Sequence, residues 1–174
     1  EVWLALLRPP SPCAVVELLC SADLEAGGVA SSAQFPLSGA GIDIQANGWS
    51  LAVNVEEDSR LEGDSYAGVD LVETATGDTG FVELSAGVAA VHWQGQRLVL
   101  AEASDWISAE RPLHLYDTGP GRDEITAKPR GTLNLDLEGG DSRVAALAGS
   151  GDMLYAASTL AAAGLQVVDA GDPD

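Results

Sequence analysis

The chain has 174 residues, of which 27 are acidic and 8 are basic, so its formal net charge at pH 7 is −19. A charge of this sign and size opposes binding to nucleic acid and to anionic membranes, because both attract proteins through negative phosphate. The sequence contains no apolar run of about 18 residues, the length that a membrane-spanning helix needs. The acidic composition favours solubility in an extracellular, crowded or salty medium over cation binding, which requires carboxylates that converge on one point.

The first part of the chain reads as two strands separated by prolines. Residues 2–7 have a strand pattern, and the prolines that follow end it, because proline lacks an amide donor and restricts its neighbour. The apolar segment from Cys13 to Cys20 fits either a strand or a capped helix. The repeated strand pattern in the rest of the chain favours the strand. As a strand it would hold the cysteines about 23 Å apart, whereas disulfide-bonded Cα atoms lie about 4.4–6.8 Å apart. We therefore expect thiols that are not bonded to each other, and we expect a loop or decorating strand over 21–40.

Three later segments each read as two apolar strands around a glycine turn, followed by a third alternating strand. The turns centre on Gly48, Gly95 and Gly151. A unit of about 45–55 residues with several strands is typical of a β-propeller. The sequence therefore predicts an all-β fold, a propeller segment of about three four-stranded antiparallel blades. The third strands are expected at 68–72, 112–117 and 164–169, and the outer strands at 80–84 and 131–137.

These units predict a molecule that does not close on itself. A propeller needs at least about four blades, so we expect an incomplete ring, finished by blades from flanking sequence or from other chains. Such partners would cover the open sheet edges and apolar faces. Four units are predicted. Residues 1–40 form a partial blade with third and fourth strands plus a loop, and residues 41–86 and 87–142 each form a blade. Residues 143–174 form the first three strands of another blade.

The last unit resembles a known repeat. Residues 143–173 contain an apolar strand, a Gly-Asp turn, a Tyr-containing strand, Gly-Leu-Gln-Val-Val-Asp and a closing Asp-Pro. This pattern resembles the LVIVD repeat of bacterial and archaeal propeller proteins. The match is weaker over 87–118 and weakest over 41–76, where Glu73 replaces the Asp that ends the strand. The resemblance implies a propeller that is secreted or surface-associated, and it brings no catalytic residues.

Three polar insertions are the expected recognition loops, at 56–66, 104–111 and 117–130, because loops on a rigid frame commonly carry binding. The second insertion contains Trp106 between charged residues. An exposed aromatic side chain is a common anchor in binding surfaces. We therefore predict a binding site formed by Trp106, Asp105 and Glu110.

The first insertion is the best candidate for a metal site. Glu56, Asp58, Glu62 and Asp64 supply carboxylates, and a glycine between the last two permits a tight turn. Hard oxygen ligands of this kind suit calcium, but the spacing is not that of a preformed calcium loop. A solvated acidic loop is the favoured interpretation, and calcium is the only cofactor that the sequence suggests.

Other polar residues have structural explanations. His92 and His114 lie on strands of one predicted blade and could meet across it, but zinc needs about four ligands. A half-buried, hydrogen-bonded imidazole is the favoured role for each. Asp117 and Asp169 end equivalent predicted strands, where an aspartate typically accepts backbone N–H groups in a turn.

The sequence lacks the usual motifs of nucleophilic, zinc, phosphate and dinucleotide enzymes. The favoured function is a non-catalytic propeller scaffold, extracellular or at the cell surface, that recognises protein or carbohydrate through its loops. No nucleic-acid partner and no membrane insertion are expected. The alternative is a propeller-type hydrolase or lyase that uses carboxylates at the central channel.

Overall fold

The structure is a computed structural model, and it describes ten segments of the chain: 3–8, 15–20, 33–48, 50–56, 67–84, 87–103, 112–120, 124–135, 144–159 and 164–170. These segments contain fourteen β-strands. No helix long and apolar enough to cross a membrane occurs among the described residues. The strands are β1 Trp3–Arg8, β2 Val15–Cys20, β3 Ala33–Pro36, β4 Ala40–Asn47, β5 Ser50–Glu56, β6 Ala67–Glu73, β7 Thr79–Glu83, β8 Val88–Gln94, β9 Arg97–Glu102, β10 Pro112–Pro120, β11 Ile125–Asn134, β12 Val144–Ser150, β13 Met153–Ser158 and β14 Leu165–Asp169.

The strands form four antiparallel sheets, and each strand pairs with its neighbour in the chain. The sheets have the orders β1-β2-β3, β4-β5-β6-β7, β8-β9-β10-β11 and β12-β13-β14. They are called the first to fourth sheets below. The predicted all-β class is confirmed, and the described strands form no closed ring.

The three predicted glycine hairpins are confirmed as β4–β5, β8–β9 and β12–β13. Each has a two-residue turn, as the pairs Asn47 with Ser50 and Gln94 with Arg97 show. The first turn residue is Gly48, Gly95 or Gly151, with φ of 62°, 62° and 59°. A side chain disfavours this left-handed region, so glycine at this place lets the chain reverse tightly.

Among the described residues β1 pairs with β2 and contacts β4. The assignment of residues 2–7 as the third strand of a blade stays a prediction. In the same way β4 contacts β8 and β8 contacts β12, so the first strands of the four sheets are neighbours. The prolines after β1 resemble the end of the last unit, and this local likeness does not determine which strand pairs with which. The strand interpretation of Cys13 to Cys20 is confirmed for β2, while Cys13 lies outside the described residues.

A second correction concerns the insertion predicted at 117–130. Strand β10 continues to Pro120 and β11 begins at Ile125, so most of this segment is a long hairpin. A register shift between Leu115 and Tyr116 interrupts the pairing without ending it. The sequence reads as a loop because of its glycines and prolines, but β11 is an edge strand, where a missing amide donor is tolerated.

The same correction applies to Asp117, which was expected to end a strand in a turn. It lies inside β10, and its carboxylate is 3.5 Å from Arg130 Nη1 in an exposed ion pair. Asp169 does end β14.

Apolar clusters fill the spaces between successive sheets. Strand β9 shows why: Leu98 and Leu100 face the second sheet, whereas Val99 and Ala101 face the fourth, because side chains alternate along a strand. All four side chains are fully buried. Each buried leucine or valine stabilises the fold by about 1.5–3 kcal/mol relative to an exposed one, so the inter-sheet contacts hold the stack together.

A buried carboxylate binds the segment of chain that precedes the second sheet. Asp70 on β6 is 8% exposed and accepts hydrogen bonds from the backbone N–H and the hydroxyl of Ser38, both at 2.7 Å. Burial raises the pKa of Asp70, and the two bonds from Ser38 act against that rise. The carboxylate thereby holds the segment between β3 and β4 against the middle of the sheet.

Candidate functional site

A cavity of about 370 Å³ lies between the second and third sheets, at the end of the stack that carries the turns at Gly48 and Gly95. We call it the turn-end cavity. Its lining combines polar groups from two sheets with one tryptophan. The residues are Asn47, Ser50, Glu73, Thr76 and Asp78 from the second sheet and Trp93, Gln96, Thr118, Gly119 and Ile125 from the third.

Short hydrogen bonds fix the wall formed by the second sheet. Ser50 Oγ donates to Glu73 Oε2 at 2.7 Å, and Thr76 Oγ1 donates to Asp78 Oδ2 at 2.7 Å. The backbone N–H of Glu73 also donates to the carbonyl of Asp78 at 2.8 Å, which closes the β6–β7 turn. Both carboxylates are therefore held on one short turn, so they form a preorganised acceptor pair beside the cavity.

The opposite wall depends on the extension of β10. Thr118 donates to the carbonyl of Gln96 twice, from its N–H at 2.9 Å and from its hydroxyl at 2.7 Å. This pairing joins β10 to the β8–β9 turn. The long β10–β11 hairpin, which was not expected from the sequence, therefore brings Thr118 and Gly119 to the cavity.

Trp93 has a buried, unsatisfied polar atom. The residue is 9% exposed and belongs to the apolar cluster between the second and third sheets. Its indole Nε1 is buried and has no hydrogen-bond partner among the described residues. Leaving such a donor unpaired costs about 1–3 kcal/mol. The atom has essentially no accessible surface, so it is closed off from the cavity.

Side-chain amides join neighbouring sheets by hydrogen bonds at the end that carries the glycine turns. Asn47 Nδ2 donates to the carbonyl of Gly95, and Gln94 Nε2 donates to the carbonyl of Gly151. In both cases the last residue of a first strand bonds the glycine turn of the next sheet. These two bonds fix the spacing of the three turns, and hence the mouth of the cavity.

A second cavity of about 470 Å³ lies between the third and fourth sheets. His92, Gln94, Arg97 and Asp152 line it. Arg97 Nη1 donates to the carbonyl of Ala170, while Gln94 Oε1 and Arg97 Nε are buried without partners among the described residues. Burial lowers the pKa of His92, because it disfavours the charged imidazolium.

The two histidines do not meet across their sheet. His92 pairs with Val99, which faces the fourth sheet, whereas His114 pairs with Leu100, which faces the second. Paired residues of antiparallel strands share a face, so the imidazoles lie on opposite faces. The idea that they begin a zinc site is therefore wrong. His114 is a half-buried imidazole as predicted, with Nε2 2.8 Å from Glu102 Oε2.

The predicted site residues are not tested by this arrangement. Trp106, Asp105 and Glu110 lie outside the described residues, as do Asp58, Glu62 and Asp64. Glu56 ends β5, and its side chain is not described. Across the described segments no three His, Cys, Asp or Glu residues are grouped as metal ligands would be. The loop binding site and the calcium site stay predictions.

The cavity residues had weak signals in the sequence. Trp93 lies on strand β8, and its burial depends on the opposite sheet. Glu73 was noted only as a departure from the Asp that ends strands in the LVIVD pattern. That departure was the available signal, because a longer acidic side chain at this strand end reaches Ser50 on the adjacent strand.

No protein-family model matches the chain, and no curated protein matches its sequence. The resemblance of residues 143–173 to the LVIVD repeat stays a prediction.

Proposed function

We propose that the chain is a non-catalytic, propeller-like scaffold, extracellular or at the cell surface, that binds a carbohydrate in the turn-end cavity. The observation that carries this proposal is a cavity of about 370 Å³ whose lining combines hydroxyls, amides and two carboxylates. Small-ligand sites typically have volumes of about 300–1,000 Å³ and a few converging polar groups.

The hydrogen-bonding groups of the cavity complement a polyhydroxylated ligand. Each sugar hydroxyl can donate one hydrogen bond and accept others. Glu73 and Asp78 would accept from such hydroxyls, while the side-chain amide of Gln96 would donate to one.

The arrangement of the sheets supports the scaffold part of the proposal. First strands that neighbour one another, with sheets stacked through apolar clusters, are the pattern of radially repeated blades. Remaining blades would come from flanking sequence or from other chains. The acidic surface of a chain with net charge −19 suits a soluble scaffold.

Titration calorimetry of the full chain against a panel of neutral monosaccharides and disaccharides tests the proposal. We expect saturable binding, and we expect Glu73→Gln to weaken it about tenfold, because a neutral amide is a weaker acceptor for sugar hydroxyls than a carboxylate. Asp117→Asn is the matched control, since Asp117 is exposed and outside the cavity lining. If neither the wild type nor the Asp117→Asn control binds any sugar at millimolar concentration while both are folded, the proposed function is disproved.

A hydrolase is the second candidate, because two carboxylates line one cavity and glycosidases act with such a pair. The scaffold proposal expects intact sugar after prolonged incubation of an oligosaccharide with the protein. Product formation that Glu73→Gln abolishes would favour the hydrolase instead.

A further inference from the structure

We propose that the outward face of the fourth sheet is an interface between copies of this chain, and that the first sheet of a second copy packs on it. This inference extends the stack of sheets and does not depend on carbohydrate binding in the turn-end cavity. It rests on exposed apolar side chains of the fourth sheet and on the buried residues at the equivalent positions of the two preceding sheets.

The outward face of the fourth sheet carries three of the five large apolar side chains that are exposed among the described residues. Leu165 and Val167 on β14 are 62% and 53% exposed, and Met153 on β13 is 36% exposed. Leu154 and Val168 on the same strands pack against the third sheet instead. Because side chains alternate along a strand, the exposed residues share the face that points away from the third sheet.

The positions of Leu165 and Val167 recur in the second and third sheets, because the three glycine hairpins have the same two-residue turn. In each sheet they are the residues of β6, β10 or β14 that pair with the fifth and third residues of the strand after the turn. The equivalent pairs are Val69 and Leu71, Leu113 and Leu115, and Leu165 and Val167.

In the two earlier sheets, the next sheet of the stack covers these positions. The pair from the second sheet is fully buried in the apolar cluster shared with the third sheet, and the pair from the third sheet is fully buried in the cluster shared with the fourth. Leu165 and Val167 keep the apolar residue type, but no described strand packs on their face. The fourth sheet therefore presents the face that a further sheet covers twice elsewhere in the chain.

A second copy of the chain offers a sheet for this face. Apolar clusters occupy the spaces between its first and second, second and third, and third and fourth sheets. The first sheet meets this stack on one side, through the contact of β1 with β4 and the cluster around Phe35. The sequence of β1 is apolar from Trp3 to Leu7, which is typical of a strand in a sheet that is covered on both faces.

Two copies joined in this way can close into a ring. A contact between the fourth sheet of one copy and the first sheet of the other is head-to-tail, and such contacts produce either closed rings or open filaments. Two copies of four sheets supply eight, and propellers typically close with about four to eight blades. The closed form therefore contains two copies, because a third would exceed that range.

The charge of the chain gives the association a distinctive salt dependence. Each copy carries a net charge of −19, so two copies repel each other at low ionic strength. Salt screens this repulsion, whereas the contact through Leu165 and Val167 is apolar. We therefore expect the dimer to become tighter as the salt concentration rises.

Sedimentation velocity of the full chain at a series of micromolar concentrations, in about 0.01 M and 0.15 M salt, tests the proposal. We expect a monomer–dimer equilibrium, with a dimer of twice the chain mass of 17.8 kDa. Val167→Lys should weaken the dimer at least about tenfold, because it would bury an unpaired ammonium in the interface, and Leu165→Lys should act in the same way. The matched control is Ile42→Lys, since Ile42 is also 53% exposed but lies on β4 of the second sheet, and the net charge changes equally.

Each other outcome overturns the inference and leaves carbohydrate binding intact. A wild type that stays monomeric in salt, a dimer that survives both lysine variants of β14, or equal weakening by Ile42→Lys would show that this face is not the interface. Growth beyond the dimer would show that the contact does not close. Amide hydrogen exchange should slow in β14 and in the first sheet on dimerisation; slowing in β14 without the first sheet would show two fourth sheets packed on each other instead.

Discussion

Trp93 packs in the core and leaves one polar atom unsatisfied. Its ring packs between the second and third sheets, and its exposed fraction is 9%. Its N–H nevertheless lacks a partner among the described residues. Phenylalanine would carry no unpaired donor, but its ring is smaller than the indole, so the packing of the larger ring offsets the cost of the unpaired N–H.

His92 provides a pH-dependent prediction at the residue scale. Burial lowers its pKa from the usual value of 6.5, so the folded chain binds fewer protons there than the unfolded chain. Its contribution to stability is therefore present above pH 6.5 and is lost as the pH falls through the lowered pKa. We expect the free energy of unfolding of the wild type, minus that of His92→Gln, to decrease from pH 8 to pH 5 in urea titrations.

The chain has two histidines, so NMR provides an independent check of this prediction. The imidazole signal that disappears in His92→Gln should titrate with a midpoint below 6.5. A midpoint at or above that value, or a stability difference that does not change with pH, would contradict the prediction.

At the element scale, the approach of β7 to β11 sets the distance between the second and third sheets. A Cβ atom added to Gly80 would lie 2.1 Å from the carbonyl oxygen of Ile125. The clash is with backbone, which cannot rotate away as a flexible side chain can. Ile125 also lines the turn-end cavity, so this contact helps to shape the site.

We expect Gly80→Ala to lower the free energy of unfolding by about 1–3 kcal/mol, because β11 must move to accept the methyl group. The matched control is Gly119→Ala, where an added Cβ meets nothing within 4 Å; its effect should stay within about 0.5 kcal/mol. Urea unfolding of the three proteins measures the difference. Equal stability of the two variants would show that the sheets have room to separate at no cost.

The elements also show what could be predicted from the sequence. The hairpins at Gly48, Gly95 and Gly151 were predictable, because a two-residue turn needs a local residue type. The contact of β1 with β4 and the length of β10 were not predictable from the sequence, because both depend on contacts with distant residues. Thr118, for example, extends β10 by bonding the carbonyl of Gln96, 22 positions earlier in the chain.

At the scale of the whole molecule, apolar contacts between sheets oppose the repulsion of a highly acidic chain. The fold class followed from the periodic strands, and the locations of the clusters followed from their alternation. The candidate site could not be predicted in the same way. It combines side chains of two sheets that lie up to 78 positions apart in the chain, from Asn47 to Ile125.

The net charge of −19 gives the last prediction, which concerns salt. Like charges repel more strongly in the compact folded state, so screening should stabilise the fold. Between 0.01 M and 0.15 M monovalent salt the screening length falls from about 30 Å to about 8 Å. We expect the thermal unfolding midpoint to rise by several degrees over this range, equally in sodium, potassium and choline chloride, because screening does not depend on the cation.

The same experiment tests the predicted calcium site. If Glu56, Asp58, Glu62 and Asp64 form a solvated acidic loop, calcium and magnesium chloride at equal ionic strength should shift the midpoint equally. A stabilisation by millimolar calcium that exceeds the effect of magnesium would point instead to a specific site, since calcium accepts more oxygen ligands and a more flexible geometry. Substitution of Glu62 by glutamine would then remove the excess, while Asp117→Asn, at the exposed ion pair with Arg130, would keep it. If screening alone acts, neither variant changes the difference between the midpoint shifts in calcium chloride and in magnesium chloride.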